Sequence, residues 1–284
     1  MASTQGCATR HYRVALTIAG SDCSGGAGVQ ADLKTFSALG CYGMSVLTAL
    51  TAQNTVAVRA IHEVPVDFVT AQLDTILEDI QVDAVKTGML HSPEIIEAVA
   101  ATLKKSPIRK LVVDPVMFAK SGDRLIRDDA IETLAERLIP LATVLTPNLP
   151  EAGELLKRSI KTRDHMEESA HALLEMGPQA VVVKGGHLDF GGSDDYMAVR
   201  TQSGVEGKWF YARREMSPNM HGAGCTFASA VAAFLARGLA VGEAIESAKE
   251  YIAGAVARGG EFQLGKGKGP VAHFHELWKF DDEA

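Results

Sequence analysis

Apolar and polar positions change period repeatedly along the chain, and each change marks an element. Val14, Leu16 and Ile18 alternate within "YRVALTIAGSD" and run into a Gly/Ser turn, which predicts a first strand ending at a loop. Over 29–39 the spacing becomes helical, with Val29, Leu33 and Phe36 on one face and Gly40 closing the run where glycine is favoured. Helical patterns recur at 66–80 (Val69, Leu73, Ile76, Leu77, Ile80), 93–104, 128–139 and 163–176. Short β-branched or apolar stretches at 82–86, 111–113, 142–146 and 180–186 separate them. Residues 195–213 predict a hairpin around a Ser-Gly-containing turn, and helices at about 224–237 and 243–258 close the chain. Strands alternating with helices predict an α/β fold, a parallel sheet covered on both faces. Residues 1–11 read as a loosely ordered tail. No repeat, low-complexity stretch or linker interrupts the rest, so 12–284 is expected to form one domain.

Charge and composition narrow the function. The net charge is −7 with no lysine- or arginine-rich block, so the chain carries no electrostatic footprint for nucleic acid. No apolar run approaches the roughly 18 residues that cross a bilayer, so no membrane is expected as a partner. Cys7, Cys23, Cys41 and Cys225 form no CxxC pair and follow no signal sequence, which predicts reduced thiols and a cytoplasmic protein.

In open α/β sheets, ligands bind outside the carboxyl ends of the strands. The segments predicted there are "AGSDCSGGAG" (19–28), "KTGML" (86–90), "DPVM" (114–117), "TPNLPE" (146–151), "KGGH" (184–187) and "HGAGC" (221–225). Gly, Asp, Asn, Glu, Lys and Cys therefore gather at one edge. Each has two readings. "SGGAG" either lets backbone approach a ligand or is an ordinary strand-to-helix turn; neither GxGxxG nor GxxxxGK[ST] occurs, and "GKGKG" at 265–269 reads as a loop. Asn148 and Glu151, three apart, either aim at a hydrated Mg²⁺ or start a helix with Pro150 in its first turn. Asp114, held from helical geometry by Pro115, is an acidic ligand or a turn aspartate. Lys184 leaves "AVVV" as a point charge for phosphate oxygens or as a strand-end surface lysine. His273 and His275 show no zinc-ligand pattern with the cysteines and read as solvated or packing side chains. Cys225 opens a predicted helix, where N–H groups and the dipole welcome negative charge; its other reading is a small packed residue.

Taken in order, "ALTIAGSDCSGGAGVQADLKTFSALGCYG", "TALTAQNT", "KTGML", "DPVMFAKSGD", "LTPNLPEA", "VVVKGGH", "HGAGCT" and "GKGKGPVAHFH" resemble the ribokinase-like superfamily. Within it they resemble the hydroxymethylpyrimidine/phosphomethylpyrimidine kinases, over about residues 12–278. The resemblance implies a three-layer fold with a mostly parallel central sheet between helical layers, usually in a homodimer. It implies transfer of the ATP γ-phosphate to 4-amino-5-hydroxymethyl-2-methylpyrimidine and then to its monophosphate. By position, Gln53 would read the aminopyrimidine edge, its amide offering donors and an acceptor, and Ala27, Asp32 and Met89 would shape that pocket. Asn148, Glu151 and Asp114 would arrange Mg²⁺ and its waters, with Lys184 and Lys249 near the nucleotide phosphates. Cys225 would be the base for the acceptor hydroxyl, its thiol lowered by the helix N-terminus, beneath an anion hole made by Gly222, Ala223 and Gly224. Two positions depart from the family's usual pattern: Ala223 replaces a threonine, and Cys23 stands where many members have proline. A pyridoxal kinase of the same fold is the nearest alternative, and a non-catalytic ligand sensor a more distant one.

Overall fold

The protein is described from a computed structural model that covers residues 10–119, 122, 124–186, 192–212 and 217–279. Most of the expected tail (1–9, with Cys7), His187 of "KGGH" and Arg213 at the end of the predicted hairpin lie outside the described residues. The first half of the chain forms β1 (Val14–Asp22), α1 (Gly28–Ala38), β2 (Tyr42–Gln53), β3 (Val58–Glu63), α2 (Val66–Asp79), β4 (Ala84–Thr87), α3 (Pro93–Lys105) and β5 (Leu111–Val113). The second half forms α4 (Ala130–Thr133), β6 (Val144–Leu145), α5 (Leu149–Leu156), α6 (Arg163–Leu174), β7 (Ala180–Lys184), β8 (Asp195–Thr201), β9 (Gly204–Phe210), α7 (Ala223–Ala236) and α8 (Val241–Gly259).

All nine strands join one sheet in the order β3-β2-β1-β4-β5-β6-β7-β8-β9. The centre from β2 to β7 is parallel. Among the described residues the antiparallel strand pairs flank it, β3 beside β2 and the β8–β9 hairpin beside β7. The two-residue alternation of the strands divides the apolar side chains between two cores. Val14, Leu16, Ile18, Val46, Val85, Val113, Leu145, Val181 and Val183 face helices α2, α3, α5 and α6, represented by Leu73, Ile95, Ala152 and Leu173. Ala15, Ala84, Val112, Val144, Ala180 and Val182 face the other way, onto Phe36 of α1, Phe227 and Val231 of α7 and Ile245 of α8. Full burial of each Val, Leu or Ile contributes about 1.5–3 kcal/mol. Alanines dominate α7 and are buried nearly all round it, so this helix lies close against the sheet between α1 and α8. Among the described residues no helix is long and apolar enough to cross a membrane.

Two stretches differ from the sequence reading. The helix predicted over 128–139 is broken into α4, a π turn at Leu134–Leu138 and a 3₁₀ turn at Ile139–Leu141. Pro140 explains the break, because it supplies no N–H and its ring opposes the preceding turn. No element is predicted over 42–63, yet β2 and β3 fill it. Gly43 and the half-exposed Leu47 blur the alternation of β2, and β3 is an edge strand with no fully buried residue.

Beyond α8 the chain returns beneath α7. His273 Nε2 lies 3.1 Å from Thr226 Oγ1, and the Tyr251 hydroxyl donates to His273 O at 2.5 Å. His273 is therefore a packing histidine. Burial, with Lys34, His221 and His275 acting in the same sense, pushes its imidazole down to about 3. An unfolded histidine titrates near 6.5, so between these values the unfolded chain binds more protons and stability rises with pH. The His273 contribution is complete above pH 6.5 and is lost as the pH falls towards 3. Glu151, described below, acts with the opposite sign, so the informative quantity is a difference between proteins. Wild type is expected to lose melting temperature more steeply than His273→Gln between pH 7 and pH 5. Parallel pH curves would show that His273 protonates without cost.

Candidate active site

Two glycine turns meet at the carboxyl edge of the sheet, one leaving β1 and one entering α7. Gly222 caps α7 with φ +77°, and a Cβ there would sit 1.8 Å from Gly26 O. A Cβ on Gly26 would lie 2.3 Å from the His221 ring. Glycines in "SGGAG" thus serve contact between the two turns. At the start of α7, Thr226 N–H opens the helical ladder by donating to Gly222 O at 2.8 Å, and Ala223 N–H donates to Met220 O at 3.3 Å. Among the described residues the amides of Gly224 and Cys225 have no backbone partner, and a helix start can present such donors to an anion. Of the three residues expected in the anion hole, Gly222 shapes the turn and Ala223 has its N–H taken by Met220 O. Lys184 Nζ approaches within 3.4 Å of the position that a Cβ on Gly224 would take.

Cys225 keeps part of its surface accessible. Burial nonetheless pushes its thiol up to about 11, against the pull of Lys86 and the Gly28 N–H, with Asp32 and Asp114 adding to the rise. The direction is opposite to the expected lowering of the thiol, because loss of water around the sulfur outweighs the Lys86 cation and the Gly28 N–H.

Asp114 and Lys184 leave β5 and β7 and meet across β6. Lys184 Nζ lies 2.9 Å from Asp114 Oδ1, which also accepts from Thr146 Oγ1 at 3.2 Å. Asp114 Oδ2 is buried and has no partner among the described residues. A carboxylate oxygen in that state is costly unless a cation or water completes it. Burial would depress the Lys184 ammonium, but Asp114 and Glu151 hold it above its ordinary value. Asn148 caps α5: its Oδ1 accepts from Glu151 N–H at 2.9 Å, and Glu151 Oε2 accepts from Asn148 N–H at 2.8 Å. The helix-start reading is therefore met. Burial pushes the Glu151 carboxyl up; Lys184 opposes the rise and Asp114 adds to it, while the Asn148 and Met117 amides favour the charged form. Among the described residues no three His, Cys, Asp or Glu side chains are grouped to hold a metal. Asp114 Oδ2 with Glu151 nearby fits Mg²⁺, which usually takes one or two carboxylates and keeps its waters.

Asp32, expected in the substrate pocket, is fully buried inside α1. Both its oxygens accept from Lys86 Nζ at 2.9 Å, with Thr17 Oγ1 and Ser229 Oγ donating at 2.6 Å. All its acceptor capacity is used within the protein, so it supports the floor of the site and does not line it. Lys249, expected beside the phosphates, gives its ammonium to Asp195 Oδ2 at 2.5 Å and Ser193 O at 2.6 Å, while Asp195 Oδ1 accepts from Gly185 N–H. It anchors the start of β8 to α8.

The remaining expected residues cluster at the ends of β1 and β2. Ala27 caps α1 and donates its N–H to Asp22 Oδ2 at 2.8 Å. Met89 is buried with Ala49 and Leu125, and its methyl covers Gly20. Gln53 ends β2 beside His221, its Nε2 3.4 Å from His221 Nε2, which in turn lies 2.7 Å from Asp22 Oδ2. Burial would raise the Asp22 carboxyl, but bonds from His221 and Ser24 bring it down to about 2. Asp22, His221 and Lys86 were not singled out from sequence. Only Lys86 carries a local signal, a charge inside an apolar parallel strand, "DAVKTG".

A mostly parallel sheet between helical layers, with a lysine, carboxylates and free helix amides at its carboxyl edge, defines a kinase of ribokinase-like fold. The chain belongs to the phosphomethylpyrimidine kinase family, whose profile matches residues 22–272. It is 49% identical over 266 residues to the hydroxymethylpyrimidine/phosphomethylpyrimidine kinase of Salmonella typhimurium, covering 93% of this chain and 98% of that protein. It is 52% identical over 258 residues to a thiamine biosynthesis bifunctional protein of Geobacter sulfurreducens, covering 91% of this chain and 51% of that one. The crystal structure of an ADP complex of Bacillus subtilis pyridoxal kinase superposes with a TM-score of 0.84 at 41% identity, covering 93% and 98% of the two chains.

Proposed function

We propose that the protein transfers the γ-phosphate of ATP to 4-amino-5-hydroxymethyl-2-methylpyrimidine, and then to the resulting monophosphate, in thiamine biosynthesis. The observation that carries this reading is the approach of Lys184, paired with Asp114, to Gly224 at the start of α7, in a chain of this family. Phosphoryl transfer asks mainly for positioning and charge stabilisation. Lys184 meets the transferring phosphoryl, the Gly224 and Cys225 amides close on its oxygens, and Cys225 takes the proton of the hydroxymethyl group. The hydroxymethyl oxygen bonds to phosphorus as the bond to ADP breaks. Asp114 and Glu151 would hold Mg²⁺, which would supply positive charge against the phosphates. Gln53, beside His221 at the end of β2, reads the aminopyrimidine edge with Ala27 and Met89.

One domain over 12–284 and a homodimer extend the proposal. A single sheet receiving every strand supports the first, and family resemblance the second. Pyridoxal phosphorylation is a second reading, favoured by the 41% identity to a pyridoxal kinase. A sensor without chemistry is disfavoured by the joint presence of Cys225, Lys184, Asn148 and Glu151. Purified protein with Mg-ATP and hydroxymethylpyrimidine is expected to yield monophosphate and then diphosphate by mass spectrometry. Turnover of pyridoxal with a much higher kcat/KM would transfer the assignment to vitamin B6, and stabilisation by ligand without any product would favour the sensor.

A further inference from the structure

Gln53 is held more completely than a substrate contact requires. Its backbone is clamped by Cys23, whose Sγ accepts from Gln53 N–H at 3.3 Å and donates to Gln53 O at 3.1 Å. The amide itself lies between Thr51 Oγ1, 3.2 Å from Oε1, and His221 Nε2, 3.4 Å from Nε2. The two ends of an amide are alike in shape, so its orientation is decided by its partners.

Those partners choose the opposite orientation. Asp22 Oδ2 lies 2.7 Å from His221 Nε2 and can only accept, so His221 carries a proton on Nε2. With its nitrogen towards His221, Gln53 would set two donors face to face. Thr51 Oγ1 spends its hydrogen on Ser21 O at 2.9 Å, so towards Gln53 it acts as an acceptor. With the amide turned, Gln53 Oε1 accepts from His221 Nε2–H, which it shares with Asp22, and Gln53 Nε2 donates to Thr51 Oγ1. The two facing donors are then removed, and one Nε2 hydrogen and one Oε1 lone pair stay available to a ligand.

We infer that the Asp22–His221 pair, with Thr51, fixes the orientation of the Gln53 amide and thereby selects a ring with an amino group beside a ring nitrogen. The second lone pair of Oε1 receives the exocyclic amine on the His221 side, and the second Nε2 hydrogen meets the ring nitrogen on the Thr51 side. His221 is a positioning residue for specificity. This rests on the proposed role of Gln53, and the experiment separates the two.

Dissociation constants for hydroxymethylpyrimidine and for its analogue lacking the exocyclic amine are measured calorimetrically without ATP, on wild type, Gln53→Ala, His221→Leu, His221→Gln and Thr51→Val. Wild type is expected to prefer the aminopyrimidine. His221→Leu should reduce that preference by about tenfold with little change for the analogue, as loss of one well-placed hydrogen bond predicts. His221→Gln, which returns an N–H at the Nε2 position, should restore most of it, and Thr51→Val should lower it. If Gln53→Ala keeps the wild-type preference, the reading of Gln53 fails and this inference with it. If Gln53→Ala abolishes the preference while His221→Leu and Thr51→Val both retain it, the inference alone is overturned. Should His221→Leu fail to fold, Thr51→Val carries the same test.

Discussion

Cys225→Ala is expected to lower kcat by about 100- to 10,000-fold, the range supplied by a positioned acid–base group. KM for ATP should change little, because its phosphates are assigned to Lys184 and to backbone amides that alanine preserves. The pH profile adds a second measure. Burial pushes the free thiol up to about 11, and a base works when deprotonated, so kcat/KM should climb through the neutral and mildly alkaline range without levelling. Alkylation of the Cys225 peptide by iodoacetamide, followed by mass spectrometry to separate it from the exposed Cys23, should climb over the same range. A plateau near pH 7 in either experiment would show that the helix N-terminus and Lys86 outweigh desolvation. A loss of kcat below tenfold would return Cys225 to its other reading, a small packed residue at a helix start.

The second large effect is on stability. Lys86→Met should cost about 3–5 kcal/mol, the usual penalty for leaving one partner of a buried ion pair uncompensated. Both side chains are fully buried, and Asp32 would retain only Thr17 and Ser229 as donors. Burial alone would depress the Lys86 ammonium, but Asp32 holds it above its ordinary value. For a lysine with a raised folded value, the stabilisation is fully present below its unfolded value near 10.4 and is lost only as the solution becomes more alkaline. The loss in the variant is therefore expected in full at pH 7. Urea denaturation at pH 7 checks this. A loss under 1 kcal/mol would mean that the interior accommodates Asp32 without its cation.

The scaffold was legible because its signals are local. Strand-to-loop-to-helix punctuation placed β1, α1, α2, α3, α6, α7 and α8 within a few residues, and the rule that ligands gather at carboxyl edges singled out the segments that carry Asp114, Lys184, Glu151 and Cys225. Non-local pairing was not legible. Asp32 and Lys86 are 54 positions apart, and Asp22 and His221 are 199 apart. On its own helix Asp32 looks like any polar position, and nothing in "HGAG" says that its histidine faces a carboxylate from the first strand. Lys249 shows the converse limit, since a lysine at a matching position is diverted to Asp195 by a contact only the fold creates. Desolvation at Cys225 likewise depends on how closely the elements that carry Lys86, Asp32, Asp114 and Gly28 pack around one sulfur. Helix position alone does not contain it.

The contact between Gly26 and Gly222 bears on how such an enzyme can diversify. The turn that caps α7 rests on the turn that leaves β1 with no side chain between them, and neither position has room for a methyl group. A substitution that widens one end must displace the other. On the proposed function this seam couples substrate range to turnover, and variation towards new ring systems is expected at Gln53 and Met89, which lie outside the two turns.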